Sequence, residues 1–311
     1  RLIGQQPAKR YLRSVLASQR GAHAYLFKGP AGTGKRTAAW IFAQVMLCHN
    51  PPAPDEACGA CKSCRWFESR QGYVTEHPDV ITLLKEFDRP ARGDEDMAYR
   101  MRQEKQMTAD NARKRMVGDH EPLIKLETMQ YVCEQLHRTP MSGKRRVVII
   151  PEAQRMCRGQ AEAANAFLKT LEEPPQSSLI ILTSSQPEGL LETIVSRVQM
   201  VNFRRLSADE IRSGLSTKVP GKNDAEREMA ALLADGSLGH ALELVEGDLK
   251  KWRSAVLSGL EKLSAKSGPQ FGLLLWSIAE AEGQRLFEAG KTAQHETPAD
   301  KRAEEDQPGE A

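Results

Sequence analysis

Two groups of residues in this chain have types and spacings suited to chemistry. The first is Gly29-Pro30-Ala31-Gly32-Thr33-Gly34-Lys35-Arg36-Thr37, which follows the apolar run Ala24-Tyr25-Leu26-Phe27 and precedes a helix-like run from Thr37 to Leu47. Strand, glycine loop and helix in that order make a P-loop, whose backbone N–H groups turn inward around phosphate oxygens. The helix N-terminus adds positive potential and Lys35 adds a full charge. Gly29, Gly32, Gly34, Lys35 and Thr37 are the expected cofactor-binding residues, a degenerate loop within reach of ATP or ADP. The loop departs from the pattern at one place. The residue after the lysine should carry the hydroxyl that binds Mg²⁺. Arg36 stands there, and Thr37 lies one residue too far along.

A second metal contact is missing further on. In P-loop enzymes a buried strand ends in Asp, often followed by Glu. The Asp helps hold Mg²⁺, and in some classes the Glu orients the attacking water. The matching strand, Val147-Val148-Ile149-Ile150, ends in Pro151-Glu152. With both contacts gone, no Mg²⁺ site is expected. Charge developing in phosphoryl transfer would then be poorly stabilised, so ATP hydrolysis is expected to be slow or absent.

The second group is Cys48, Cys58, Cys61 and Cys64, spaced C-x9-C-x2-C-x2-C. Four thiolates over so short a stretch suit a closed tetrahedral Zn²⁺ site, which is structural because no ligand position stays open. His49 adjoins Cys48 and is the alternative ligand, with Cys₄ the simpler set. Cys133 and Cys157 lie elsewhere and receive no function. The clustering fits metal binding in a reducing cytoplasm better than a spread of disulfides.

The elements that must position these groups follow from hydrophobic pattern. Gln6 to Arg20 reads as a helix. Ala24–Phe27, Asp79–Leu84, Val147–Ile150, Leu179–Leu182 and Met200–Phe203 read as buried strands. Helical patterns at Ile124–Arg138 and Ala161–Leu171 alternate with them, and Pro174-Pro175 stops the latter. Alternation of this kind implies a parallel sheet covered on both faces. The fold class is α/β: a P-loop domain with a five-stranded parallel sheet, spanning 1–204. It carries a zinc module at 48–64 and a charged insertion at 87–121. Ser207-Ala208-Asp209-Glu210 is a capping box that opens a small all-helical lid, 205–246. A short helical collar-like region, 247–287, and a polar tail, 288–311, complete the organisation.

Composition narrows the class. The chain has 311 residues, 44 basic against 41 acidic, and a net charge of +3. That balance does not support a protein that coats nucleic acid. The cluster Arg113-Lys114-Arg115 inside the insertion is read as a solvated face. No apolar run approaches the roughly 20 residues of a membrane span, so no membrane partner is expected. The start, Arg1-Leu2-Ile3-Gly4, reads as a folded domain entered abruptly rather than a signal peptide.

With these pieces assembled, the chain resembles the clamp-loader subunits of bacterial DNA polymerase III, which are AAA+ proteins. The residues that carry the resemblance are Ile3-Gly4-Gln5, His23-Ala24-Tyr25-Leu26-Phe27 with its P-loop, the four cysteines, and His77-Pro78-Asp79. They continue with Asn165-Ala166-Phe167-Leu168-Lys169-Thr170-Leu171-Glu172-Glu173-Pro174-Pro175, Thr193-Ile194-Val195-Ser196-Arg197, and Gly236-Ser237-Leu238-Gly239-His240-Ala241-Leu242. They cover about residues 1 to 245. The degenerate nucleotide loop is similar to the delta-prime branch of that family. The ATP-hydrolysing gamma/tau motor is the alternative.

The resemblance implies a subunit that helps load the sliding clamp on primed DNA. Its partners would be a gamma/tau-type ATPase, a delta-type subunit and, indirectly, the clamp, with primed DNA met through the assembled complex. Ser196-Arg197-Val198 matches the family's Ser-Arg-Cys triplet, so the resemblance gives Arg197 the catalytic role of an arginine finger acting in a neighbour's ATP site. Ser184 and Ser185 fall near the family's first sensor. His240 or Gly239 stands where its second-sensor arginine is expected. A zinc-dependent nucleic-acid module of another AAA+ protein is a third reading, and the near-neutral charge weighs against it.

Overall fold

The computed structural model describes residues 2–18, 21–68, 77–83, 123–142, 144–159 and 161–246. These belong to one unit, Arg1–Glu246. The charged insertion, the collar-like region and the tail lie outside the described residues.

Five parallel strands form the sheet: β1 (Ala24–Lys28), β2 (Val80–Thr82), β3 (Arg146–Ile150), β4 (Ser178–Ser184) and β5 (Gln199–Asn202), in the order β2-β3-β4-β1-β5. Alternate residues of each strand face opposite layers. Tyr25, Phe27, Val147, Ile149, Leu179, Ile181 and Val201 share one core with α1 (Gln6–Ser18), α2 (Lys35–Leu47) and Phe67. Ala24, Leu26, Val148, Ile150, Ile180 and Leu182 share the other with α4 (Leu126–His137) and α5 (Glu162–Glu172). Burial on both sides explains why β1, β3 and β4 read as unbroken apolar runs. The last strand, read from the sequence as buried over Met200–Phe203, is instead an edge strand that buries Val201 and leaves Gln199, Met200 and Asn202 exposed, because among the described residues no strand pairs beyond it and its second face meets no core. Each fully buried large side chain contributes about 1.5–3 kcal/mol.

Aromatic contacts join the first layer. Tyr25 meets Phe42 edge-on with centroids 5.3 Å apart, and Trp40 meets Phe67 at 5.1 Å. Phe67 lies on α3 (Lys62–Glu68), so this pair seats the cysteine-bearing segment on α2.

The one-turn helix α6 (Glu192–Val195) leads into β5. Three helices follow: α7 (Ala208–Lys218), α8 (Asp224–Leu233) and α9 (Leu238–Glu246). Ser207 caps α7 by accepting from the Glu210 N–H at 3.2 Å, while Glu210 Oε2 accepts from the Ser207 N–H at 2.9 Å. The capping box read from the sequence is present. Asn223 caps α8 in the same way, accepting from the Glu226 N–H at 2.7 Å. Arg204 pins the linker through a two-pronged ion pair to Glu210 at 2.7 and 2.9 Å.

Candidate functional site

β1 is flanked by β4 and β5, and the phosphate loop leaves its carboxyl end. Gly32 and Gly34 have φ of 68° and 95°, a left-handed backbone that favours glycine. Gly29 leaves no room for a side chain, because a Cβ there would lie 2.1 Å from the Phe203 carbonyl oxygen. Gly34 sits at the N-cap of α2, so the loop runs straight into a helix N-terminus, the kind of helix end that favours an anion. Lys35 is buried, and its Nζ donates to the Gly29 and Pro30 carbonyls, each at 2.7 Å. Burial is the main influence on Lys35 and pulls its amine below the usual lysine range, against the opposing charge of Glu152.

Glu152 follows Pro151 at the carboxyl end of β3, in a left-handed conformation with φ of 47°. Its Oε2 accepts from the Ser185 N–H at 2.9 Å, from the Ser185 hydroxyl, and from Gln154 Nε2 at 3.0 Å. Burial opposes ionisation here, but the Ser185 and Gln154 hydrogen bonds and the Lys35 charge together hold the carboxyl below the usual range. Ser184 completes the network by donating to Gln154 Oε1 at 2.7 Å. The carboxylate is therefore held by its own chain.

Two contacts join the loop to the helices beyond β5. The Gly239 N–H, in the first turn of α9, donates to the Gly32 carbonyl at 3.2 Å. Gln5 is buried and bridges three segments. Its Nε2 donates to the Thr33 carbonyl at 3.3 Å and to the Arg204 carbonyl at 2.6 Å, and its Oε1 accepts from the Arg204 N–H at 3.1 Å. Sequence reasoning had Gln5 only as part of a motif. Once buried, its amide must satisfy both donor and acceptor, and these three bonds do so.

The four cysteines come together. Cys48 ends α2, Cys64 lies on α3, and the four sulfurs lie within 4.8 Å of one another. The Cys48–Cys61 and Cys58–Cys64 separations are 4.0 and 3.9 Å. A tetrahedron with Zn–S bonds of about 2.3 Å has edges of about 3.8 Å, so the donor set fits a closed tetrahedral metal site. Backbone N–H groups already point at the sulfurs: Cys58 N–H to Cys48 Sγ and Cys61 N–H to Cys58 Sγ, both at 3.3 Å. Burial opposes ionisation of Cys61, yet the N–H groups of Cys64 and His49 and the neighbouring thiols bring its thiol down to about 6.

Behind the cluster, buried His77 accepts the Asp79 N–H at Nδ1 (3.1 Å), which leaves Nε2 to donate to Ser63 Oγ at 3.0 Å. Asp79 in turn accepts from the N–H groups of Met141 and Ser142 at 2.6 and 2.7 Å. His77-Pro78-Asp79 thus ties the cysteine helix to β2 and to the turn before β3.

Arg197 lies elsewhere. It lies two residues before β5, at the amino ends of the parallel strands, whereas the phosphate loop leaves their carboxyl ends. A strand of five residues spans about 16 Å, so Arg197 and the loop sit on opposite edges of the sheet. The Arg197 side chain is 35% exposed.

The parallel order β2-β3-β4-β1-β5, the loop out of β1 and the trailing helices define a P-loop protein of the AAA+ type. A sequence profile described as "DNA polymerase III, delta subunit" matches residues 4–207, and the chain belongs to that family. The chain is 29% identical to DNA polymerase III subunit tau of Bacillus subtilis, over 82% of this chain and 39% of that protein. It is 28% identical to subunit delta' of the same organism, over 86% of this chain and 67% of that protein. It is 32% identical to subunit delta' of Pseudomonas aeruginosa, over 78% of this chain and 61% of that protein. The chain thus spans between about two fifths and two thirds of the length of these curated relatives. Among the described residues no helix is long and apolar enough to cross a membrane.

Proposed function

We propose that this chain is a delta-prime-type subunit of a bacterial clamp loader. It works in the cytoplasm beside a gamma/tau-type ATPase and a delta-type subunit to place the sliding clamp on primed DNA. Its own nucleotide site does not drive hydrolysis, and Arg197 acts in a neighbour's site. The observation that carries this reading is Glu152. The residue before it is a proline, which has no side-chain carboxylate for a metal, and the Glu152 carboxylate is occupied by Ser185 and Gln154. Arg36 removes the other metal contact. ATP or ADP would meet the loop N–H groups and Lys35, with no Mg²⁺ bridge.

The edge of the sheet on which Arg197 lies supports its action in trans, because its own loop leaves the other end of strands that span about 16 Å, farther than an arginine side chain extends. The cysteine cluster is assigned to a structural Zn²⁺ that closes the segment from Cys48 to Cys64 against α2. The second reading, an ATP-hydrolysing motor of the tau type, is favoured by the identity to subunit tau.

Steady-state hydrolysis of Mg²⁺-ATP by the purified chain separates the two. Turnover at background level, unchanged by Lys35→Ala, is expected. Robust turnover abolished by Lys35→Ala would establish the motor instead. In a reconstituted loader, Arg197→Ala is expected to lower ATP hydrolysis about 10³-fold or more at the one site it serves.

A further inference from the structure

Both ends of the Arg197 guanidinium fork are engaged within the chain. Nη1 donates to the Thr193 carbonyl at 2.8 Å and to Ser196 Oγ at 3.3 Å. Nη2 pairs with Glu172 Oε1 at 2.7 Å. The pair sits at the surface, with the Glu172 side chain 48% exposed. Glu172 is oddly placed for a carboxylate. It is the last residue of α5, and Glu173 follows at the C-cap. A helix C-terminus carries partial negative charge and favours cations there. A local rule broken in this way calls for a compensating gain elsewhere. Here the carboxylate meets the guanidinium that the family resemblance singles out. Both residues lie at the amino edge of the sheet, since α5 runs out just before β4 begins and Arg197 just before β5.

We propose that Glu172 is a positioning residue for Arg197. It holds the guanidinium folded along the chain's own surface and gives it up when a neighbouring molecule presents a more highly charged anion, the terminal phosphates of a bound nucleotide. The inference rests on the reading of Arg197 as acting in trans. An exposed ion pair is weak and screened by salt, so it holds the side chain without trapping it. A phosphoryl group offers more charge and a better match to the planar fork. The pair must be broken before the ground state and the transition state alike, so its cost falls on apparent affinity and not on turnover.

The test uses the full chain assembled with its cognate tau-type ATPase and delta-type subunit, with ATP hydrolysis followed at about 50 mM and about 300 mM salt. Glu172→Gln keeps the side-chain shape and removes the charge. The KM for ATP at the site facing Arg197 is expected to fall roughly 2- to 5-fold at low salt, with kcat unchanged. The difference should shrink at high salt, a response that a merely structural side chain would not give. In an Arg197→Ala background the same substitution should leave KM where it was. If Arg197→Ala alone leaves hydrolysis at the wild-type level, the trans reading fails and this inference fails with it. If Arg197→Ala lowers turnover while Glu172→Gln leaves KM unchanged or raises it, the positioning role of Glu172 is overturned and the trans reading stands.

Discussion

The Gly239 N–H reaches the Gly32 carbonyl across 3.2 Å, so the first turn of α9 rests directly on the middle of the phosphate loop. Neither residue has a side chain, and the contact depends on that. A Cβ on Gly32 would lie 1.9 Å from Ser237 Oγ, and one on Gly239 would lie 3.2 Å from Gly32 Cα. The loop and the helices beyond β5 are joined here by backbone alone.

Gly32→Ala should therefore be costly twice over, through its left-handed φ and through the clash. A loss of about 2–4 kcal/mol is expected in denaturant unfolding. Adding Ser237→Gly should recover part of it by removing the clashing hydroxyl. Ser237→Gly itself loses the His240 N–H bond to Ser237 Oγ at 3.1 Å, so the comparison is with that single variant: a Gly32→Ala cost that is no smaller in the Ser237→Gly background would mean that φ strain alone sets it.

Gln5→Ala removes three hydrogen bonds between the chain start, the loop and the linker at Arg204. Net contributions near 1 kcal/mol each give a loss of about 2–3 kcal/mol. Amide hydrogen exchange should rise at Thr33, Gly34 and Arg204 together. A rise confined to the chain start would show that Gln5 does not couple them.

Cys61→Ser should reduce bound zinc, read by elemental analysis, from one ion per chain to a small fraction. Loss of the ion should free α3 from α2 and expose Phe67 and Trp40. Their edge-on contact gives the readout, a shift in tryptophan emission. A chelator applied to the unaltered chain should reproduce both effects. Retention of a full zinc complement by the variant would place the metal elsewhere.

The pH dependence of stability should carry a Glu152 component. The folded carboxyl titrates below its ordinary value of 4.5. Its contribution is therefore fully present above about pH 4.5 and is lost as the pH falls through the lower folded value. Glu152→Gln should flatten the unfolding free energy against pH in that acidic window and leave its slope near neutrality unchanged. Equal slopes for both proteins below pH 4.5 would show that the Ser185 and Gln154 bonds do not favour the ionised form.

Much of the fold was legible because its signals are local or periodic. The apolar runs of β1, β3 and β4 are buried on both faces, so no alternation obscured them. The Ser207–Glu210 box is a four-residue pattern and formed as read. The second strand, read over 79–84, is Val80–Thr82, with Asp79 and Leu83 each adding one backbone bond to the β3 side, while Leu84 lies outside the described residues. The cysteine spacing predicted a cluster, and the sulfurs converge. The long-range polar contacts were not legible. Nothing local in the sequence says that Gln5 reaches Arg204, that Gly239 touches Gly32, or that Glu172 pairs with Arg197. Each joins residues distant in sequence that the sheet order brings together, and polar residues at such positions look like any others until that order is known.

The parallel run of the sheet has one more consequence. With every strand pointing the same way, the molecule has two unlike rims: one bears the phosphate loop, the other Glu172 and Arg197. On the trans reading proposed for Arg197, a contact between the arginine rim of one subunit and the loop rim of the next, repeated with every subunit pointing the same way, is head-to-tail and gives any assembly built on it a direction.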